Sequence, residues 1–484
     1  IVADTIVAAG GSRERVRLVM VHGQQGITPS AVWLDERGDL FASAVAWFIT
    51  VRPGAEGTLP ALRAIELSHR DAQGAEMARR ITPAASGTVV IRNGDVFDSE
   101  RGVMVPRTTV VIEGDRIVAV GPAALVATPR GARVIDATGK SVVPGLWDMH
   151  THFQATGQTG NVVRQLAGGI TTIRDLAADI DVAVSHRDRA NAGALVAPRV
   201  LLGGFIEGPG LWAGPSDVLV RTEDEARAWV ARYDSLGYRQ IKLYNIVHPD
   251  LVPVIAEETR KRGMRLSGHV PRGLSVPAAV RLGFDEINHA AFLFSTFFQD
   301  SLYVPEMRPY SGVAGIVAPN VNVDGPEMTA LIADLAAHGT VVDGTFNLWL
   351  RDTTGANAER ARAGNANYLR LIKRLHDGGV TLVPGTDGSS YNQELENYER
   401  AGITASEVLR LATIVSARVM KDDADYGSIA PGKIADLVIV NGRPAERIAD
   451  LRQVDMVFRA GKGYEPAVLM EAIGMRRAAP RADR

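Results

Sequence analysis

The stretch that decides the fold is Val142-Val143-Pro144-Gly145-Leu146-Trp147-Asp148-Met149-His150-Thr151-His152. An apolar run of this kind reads as a buried strand, here 141–149, and it ends in two histidines separated by one residue. Side chains two apart on a strand point to the same face, so His150 and His152 project together from one strand end. Two imidazoles placed side by side suit a metal cation. A single His-x-His pair is weak evidence, and the rest of the chain has to supply the weight.

It does so by recurrence. Strands are expected at 170–175, 200–205, 240–244, 265–269, 286–289, 340–344 and 381–387, with helical stretches at 223–236, 251–262, 276–282, 327–337 and 368–377 between them. Pro249 and Pro326 stand near helix starts, and Gly237, Gly263, Gly283 and Gly339 close helices. Strict alternation implies a parallel sheet, and eight such units close into a (β/α)8 TIM barrel; an open doubly wound sheet is the competing α/β architecture. Lys242, His269, His289 and Asp387 each fall at or near the C-terminal end of one of these strands. That end is where barrel active sites lie. Any one of these residues reads most simply as a packed or surface group. The six together, in barrel order, favour a barrel with a metal site at its mouth.

The flanks read differently. Short β-branched runs at 88–91, 96–97, 109–112 and 116–120 alternate with Asn-Gly, Gly-Asp and Gly-Pro turn signals, and 427–440, 454–459 and 462–464 are runs of the same kind. They predict a small β-sandwich built from both flanks, 86–140 and 425–470, around a barrel at 141–424. Residues 1–85 form a β-rich N-terminal segment of unassigned role, with strands at 16–21 and 44–51 and a helix over 60–80; residues 471–484 read as a flexible basic tail.

Composition sets the outer bounds. The 484 residues are 46% hydrophobic and 22% charged with a net charge of -2, which gives no electrostatic footprint for nucleic acid. No apolar run is long enough to span a membrane. The chain holds no cysteine, so thiolate ligands are excluded and a metal falls to His, Asp, Glu or a modified Lys. The first residue is Ile1, as a cleaved export signal would leave it, and both cytoplasmic and exported locations stay open.

With these residues in view, the chain resembles the amidohydrolase superfamily from about Gly87 to Tyr464. The strand order His-x-His, Lys, His, His, Asp is complete. The segment from Pro144 to His152 is close to that family's first-strand signature, and Ala430-Pro431-Gly432-Lys433-Ile434-Ala435-Asp436-Leu437-Val438 looks like the stretch leading back into its small sandwich. Gly268-His269-Val270-Pro271 and Glu286-Ile287-Asn288-His289 are most similar to the branch of imidazolonepropionases and prolidase-like metallopeptidases.

The resemblance implies that His150, His152 and Asp387 bind the more buried of two divalent ions, that His269 and His289 bind the second, and that Lys242 carries a CO2-derived carbamate bridging them. Charge agrees: an ammonium beside two cations is repelled, whereas a carbamate offers two oxygens to hard or borderline ions. Zinc is the default metal. The implied reaction is hydrolysis of an amide or peptide C–N bond by a metal-bridging hydroxide, with Asp387 as general base and then general acid. Dipeptides, N-acyl amino acids and aromatic amides are the expected small-molecule substrates, and a homo-oligomer is the expected assembly.

Tyr244 stands two residues past Lys242 and resembles a substrate-contacting tyrosine of the prolidase-like enzymes. Nearby Asn245 and His248 are further candidates, His248 with a local capping role as its alternative before Pro249. The loop from His289 to Pro326 carries Phe292, Phe294, Phe297, Phe298, Tyr303 and Tyr310, an aromatic content that fits an apolar substrate group, a subunit contact or simple loop core. Arg308 in that loop, or Arg351, would pair with a substrate carboxylate. Phe346, Trp349 and residues 208–212 are further pocket candidates. Three other readings stay open: a cyclic-amide hydrolase or heterocycle deaminase, whose relatives use one metal and an acid near the fifth strand; a non-catalytic binding protein on the same fold; and a carbohydrate- or protein-binding role for residues 1–85 beside catalysis.

Overall fold

The computed structural model describes residues 1–21, 29–45, 48–83, 87–153, 159–298 and 317–475. Its strands form three sheets. The first is an antiparallel meander of β1 (Ala3–Ala9), β2 (Ser12–Val21), β3 (Ser30–Asp35), β4 (Leu40–Val45) and β5 (Phe48–Val51). The single strand expected at 44–51 is thus divided between the end of β4 and β5, which pair antiparallel. Val7, Val16, Leu18, Trp33 and Phe41 bury one face of this sheet and share an apolar cluster with Leu62 of the helix Leu59–Ile81. That helix is tied to the barrel by the ion pairs Arg63–Asp179 and Asp71–Arg189.

The second sheet joins the two flanks. It holds β6 (Thr88–Asp98), β7 (Val103–Glu113), β8 (Arg116–Pro122), β9 (Arg133–Asp136) and β10 (Ser141–Pro144) from before the barrel. From after it come β19 (Leu437–Val440), β20 (Val454–Arg459) and β21 (Lys462–Tyr464). The order is β21-β20-β19-β10-β6-β7-β8, with β9 beside β6, so strands some 300 residues apart in sequence pair directly, as Val142 does with Ile439. Val89, Ile112, Val142, Leu437, Ile439 and Phe458 belong to this unit's own core.

The third sheet is the barrel: β11 (Leu146–Thr151), β12 (Ile170–Asp175), β13 (Arg199–Ile206), β14 (Gln240–Leu243), β15 (Arg265–Gly268), β16 (Glu286–Asn288), β17 (Val341–Asp343) and β18 (Thr381–Val383), each parallel to the next. Backbone bonds from Met149 N to Pro384 O (2.9 Å) and from Asp387 N to His150 O (2.7 Å) join the last strand's end to the first. The expected architecture is therefore present, with one correction. The run at 141–149 is two strands: Gly145 divides it, sending β10 to the composite sheet and β11 to the barrel. A Cβ at Gly145 would fall 2.0 Å from Thr171 Oγ1, so the crossing requires glycine. The tail expected from 471 begins inside the helix Pro466–Ala472, and residues 476–484 lie outside the described residues. Among the described residues no helix is long and apolar enough to cross a membrane.

Candidate metal centre

The six side chains expected at the strand ends converge. His152 Nε2 lies 2.8 Å from Asp387 Oδ1, and His150 Nε2 lies 3.9 Å from the same oxygen. Donor atoms of His150, His152 and Asp387 all fall within 4.8 Å of one another. Lys242 Nζ is 3.1 Å from His150 Nε2. His289 Nε2 is 4.0 Å from Asp387 Oδ2, and the His289 ring stands 4.8 Å from His150 and 4.7 Å from His269, centroid to centroid. All but Asp387 are buried, and its side chain is 23% exposed.

Three of the histidines are oriented from behind. His150 Nδ1 pairs with Asp343 Oδ2 at 2.5 Å, His269 Nδ1 with Asn245 Oδ1 at 2.7 Å, and His289 Nδ1 with Thr345 Oγ1 at 2.8 Å. With Nδ1 engaged, each ring presents Nε2, the arrangement typical of metal-ligating imidazoles. Burial keeps these rings neutral: it holds His150 and His269 well below the usual histidine range and His289 near about 3. Burial also lowers Lys242 to about 8, against the pull of Asp387 and Asp343. Burial would raise Asp387, but its contact with His152 and the proximity of His289 and Lys242 outweigh that and lower it to about 2. Neutral imidazoles, a carboxylate and a lysine with weakened hold on its proton fit divalent cations.

The backbone is strained where the ligands turn. His289 (φ 67°), Thr345 (φ 43°) and Asp387 (φ 47°) all occupy the left-handed region. Non-glycine residues there cost about 1–3 kcal/mol each and persist where the surroundings over-determine them.

Buried carboxylates supply that determination, and the sequence reading assigned them no role. Asp148 accepts from His150 N (3.2 Å), Thr386 N (3.0 Å) and Thr386 Oγ1 (2.7 Å), locking the first strand end to the last. Asp175 accepts from Phe153 N at 2.8 Å, just after His152. Glu207 accepts from Gly208 N, Gly214 N, Asn245 N and Ile246 N, at 2.8 to 3.2 Å. Glu394 accepts from Phe346 N at 3.0 Å and Asn347 N at 2.6 Å, fixing the turn that carries Thr345. Beneath the site Arg174 clasps Glu286 with both guanidinium nitrogens and donates to Gln240 Oε1 at 2.9 Å, while Asn288 Nδ2 bridges Glu286 Oε1 and Asp343 Oδ2. Strand-end position was an available signal for Asp175 and Asp343, and Glu207 directly follows β13. Glu394 lies on the helix Tyr391–Arg400 and left none.

The expected pocket residues divide. Tyr244 stacks on His269 with ring centroids 3.9 Å apart, and its ring lies 5.8 Å from Lys242 Nζ. The 208–214 loop presses against it: a Cβ at Gly214 would come within 2.3 Å of the Tyr244 ring. Phe292 lies 5.2 Å from His269, and Trp349 lies 6.0 Å from His289. Of the two readings of His248 the structure shows the cap: its side chain is 69% exposed, and its Nδ1 accepts from Asp250 N at 3.3 Å. Phe294 and Phe346 are core residues, packed on Tyr368 and Tyr398. Arg351 is exposed and its backbone is held by Asn365. Arg308, Tyr303 and Tyr310 lie outside the described residues.

Comparison with known proteins agrees with this geometry. The chain is 24% identical over 418 residues to an adenine deaminase of Mesorhizobium japonicum, covering 78% of this chain and 58% of that protein, so it spans under two thirds of that relative's length. It is 27% identical over 384 residues to an imidazolonepropionase of Streptomyces griseus subsp. griseus, covering 74% and 93%. The solved structure of a Xaa-Pro dipeptidase shares its fold with a TM-score of 0.62 at 21% identity, over 78% of this chain and all of that one. Residues 141–463, two thirds of the chain and all six of the converging strand-end residues, match the Amidohydrolase family, and the protein belongs to it.

Proposed function

We propose that this enzyme hydrolyses an amide or peptide C–N bond at a binuclear metal site. His150, His152 and Asp387 would hold one ion, His269 and His289 the other, and Lys242, as a carbamate, would bridge them. The observation that carries the reading is Lys242: a wholly buried amine, 3.1 Å from a ligand nitrogen, at the centre of the cluster. Its hold on a proton is already weakened by burial, so the neutral amine that CO2 requires is accessible near neutral pH.

Bound divalent ions, zinc by default, would supply a hydroxide at neutral pH and polarise the scissile carbonyl. The chain's residues do the rest. Asp387, the one partly exposed member, takes the proton of the attacking water and delivers it to the leaving amine. Tyr244, held on His269 by the Glu207-anchored loops, faces the substrate beside the second pair of histidines. Phe292 and Trp349 give that side an apolar, aromatic wall. Dipeptides and N-acyl amino acids with an apolar side chain fit it.

A mononuclear deaminase is the second reading, and the compact His150–His152–Asp387 group favours it. Against it stand Lys242 and the stretch after β15, Gly268 to Leu274, which carries no carboxylate. Metal content per chain, measured in bicarbonate for wild type and Lys242→Ala, separates the two. Two ions falling on substitution support the binuclear hydrolase; one ion unaffected by it sinks that reading and brings heterocyclic amines forward as substrates.

A further inference from the structure

The three backed histidines do not have equal partners. Behind His150 stands the carboxyl group of Asp343, at 2.5 Å, which burial pushes well above the usual carboxylate range against the pull of Arg174; behind His269 a neutral amide, Asn245, at 2.7 Å; behind His289 a hydroxyl, Thr345, at 2.8 Å. All three partners are buried, so solvent does not level the difference. Their mountings differ too. Asp343 ends a barrel strand and is tied through Asn288 to the Glu286–Arg174 pair on the barrel floor. Asn245 and Thr345 stand on turns beyond the strand ends, held by Glu207 and next to the Glu394-held residues. A carboxylate behind an imidazole makes its other nitrogen a stronger donor, and a partner on a rigid strand fixes the ring more firmly.

We infer that Asp343 is a positioning residue that ranks the two metal positions: the ion at His150, His152 and Asp387 is held tightly, and the ion at His269 and His289 exchanges with metal in solution. The inference rests on the binuclear reading above. Its consequence is regulatory: one ion stays with the fold, and the other makes turnover follow the free divalent metal around the enzyme.

The test uses the full chain, stripped and reloaded with Zn(II) in bicarbonate, then challenged with a chromophoric chelator while retained metal is counted. Wild type is expected to release two ions in two phases. Asp343→Asn, nearly isosteric, weakens the slowly released ion by about ten- to a hundredfold and leaves the fast one unchanged. Asn245→Asp, which places a carboxylate behind His269, slows the fast phase; it keeps the test alive if Asp343→Asn fails to fold, which a thermal melt reports. Two ions leaving wild type in one phase, or a folded Asp343→Asn whose slow phase is unchanged, overturn the ranking alone. A wild type that loads one ion overturns the binuclear reading and the ranking with it.

Discussion

Lys242 Nζ lies 3.1 Å from His150 Nε2, and both side chains are shielded from water. Burial costs a charged amine in that position proton affinity, against the pull of Asp387 and Asp343. Lys242→Met keeps the aliphatic volume and removes the amine. It is expected to leave the melting temperature of the metal-free protein unchanged or raised, since it removes a buried polar group, and to lower bound metal by one ion per chain. Calorimetry of the stripped protein beside elemental analysis of the loaded one checks both halves. A variant that melts lower without metal, yet keeps its full metal content, contradicts the assignment.

Gly385, just past the last barrel strand, packs directly against His150 and Asp343. A Cβ there would fall 2.3 Å from Asp343 Oδ1 and 2.5 Å from His150 Cβ. Both neighbours are held in place, Asp343 by Asn288 and His150 by Asp343 and by the backbone bond from Asp387 N. Gly385→Ala is therefore expected to cost about 1–3 kcal/mol, as overpacking in a dense core does. It should also loosen the Asp343–His150 pair, so that metal is lost more readily. Denaturant unfolding gives the first quantity and chelator competition the second; an alanine variant with wild-type values in both means that the turn relaxes in a way the packing does not indicate.

The contrast between legible and illegible parts of this site has a physical cause. His150, His152, Lys242, His269, His289 and Asp387 could be read because a polar residue at the end of an apolar strand breaks a pattern that the sequence displays. Asp148 and Glu394 could not, because their partners include backbone N–H groups up to 238 residues away, and a backbone donor has no letter in the sequence. The same holds for the break at Gly145: the apolar run continues through it, and only the approach of Thr171 forces the chain from one sheet to the other. His248 stands close to Lys242 in sequence, but its exposed side chain caps Asp250 N instead of joining the cluster.

Glu394 gives a prediction in pH. Burial raises its carboxyl to about 8, against the two backbone donors that favour the ionised form. The folded state thus keeps a proton that the unfolded chain releases above the ordinary glutamate value. This group's contribution to stability is full below that value and is lost as pH rises toward about 8. Glu394→Gln removes the titration. The unfolding free energy of wild type minus that of the variant is expected to fall between pH 5 and 8 and then level off. Parallel urea titrations across that range measure it, and a difference that stays flat or rises with pH refutes the buried, protonated carboxyl.

Asp387 tests the chemistry itself. It sits at φ 47°, a conformation asparagine adopts more readily than most residues, so Asp387→Asn preserves the strained turn after β18. The amide keeps an oxygen toward His152 Nε2, 2.8 Å away in the parent, but loses the proton-accepting charge that contact with His152 stabilises. Turnover on any amide the wild type cleaves should fall by about 10²–10⁴, the usual worth of a positioned acid–base group, with most of the bound metal retained. Removing His150 or His152 should do the reverse in order of cause: metal is lost first, and activity with it. Single-turnover assays on metal-replete protein separate the two, and an asparagine variant within tenfold of wild-type turnover would remove Asp387 from the proton path and leave it a ligand alone.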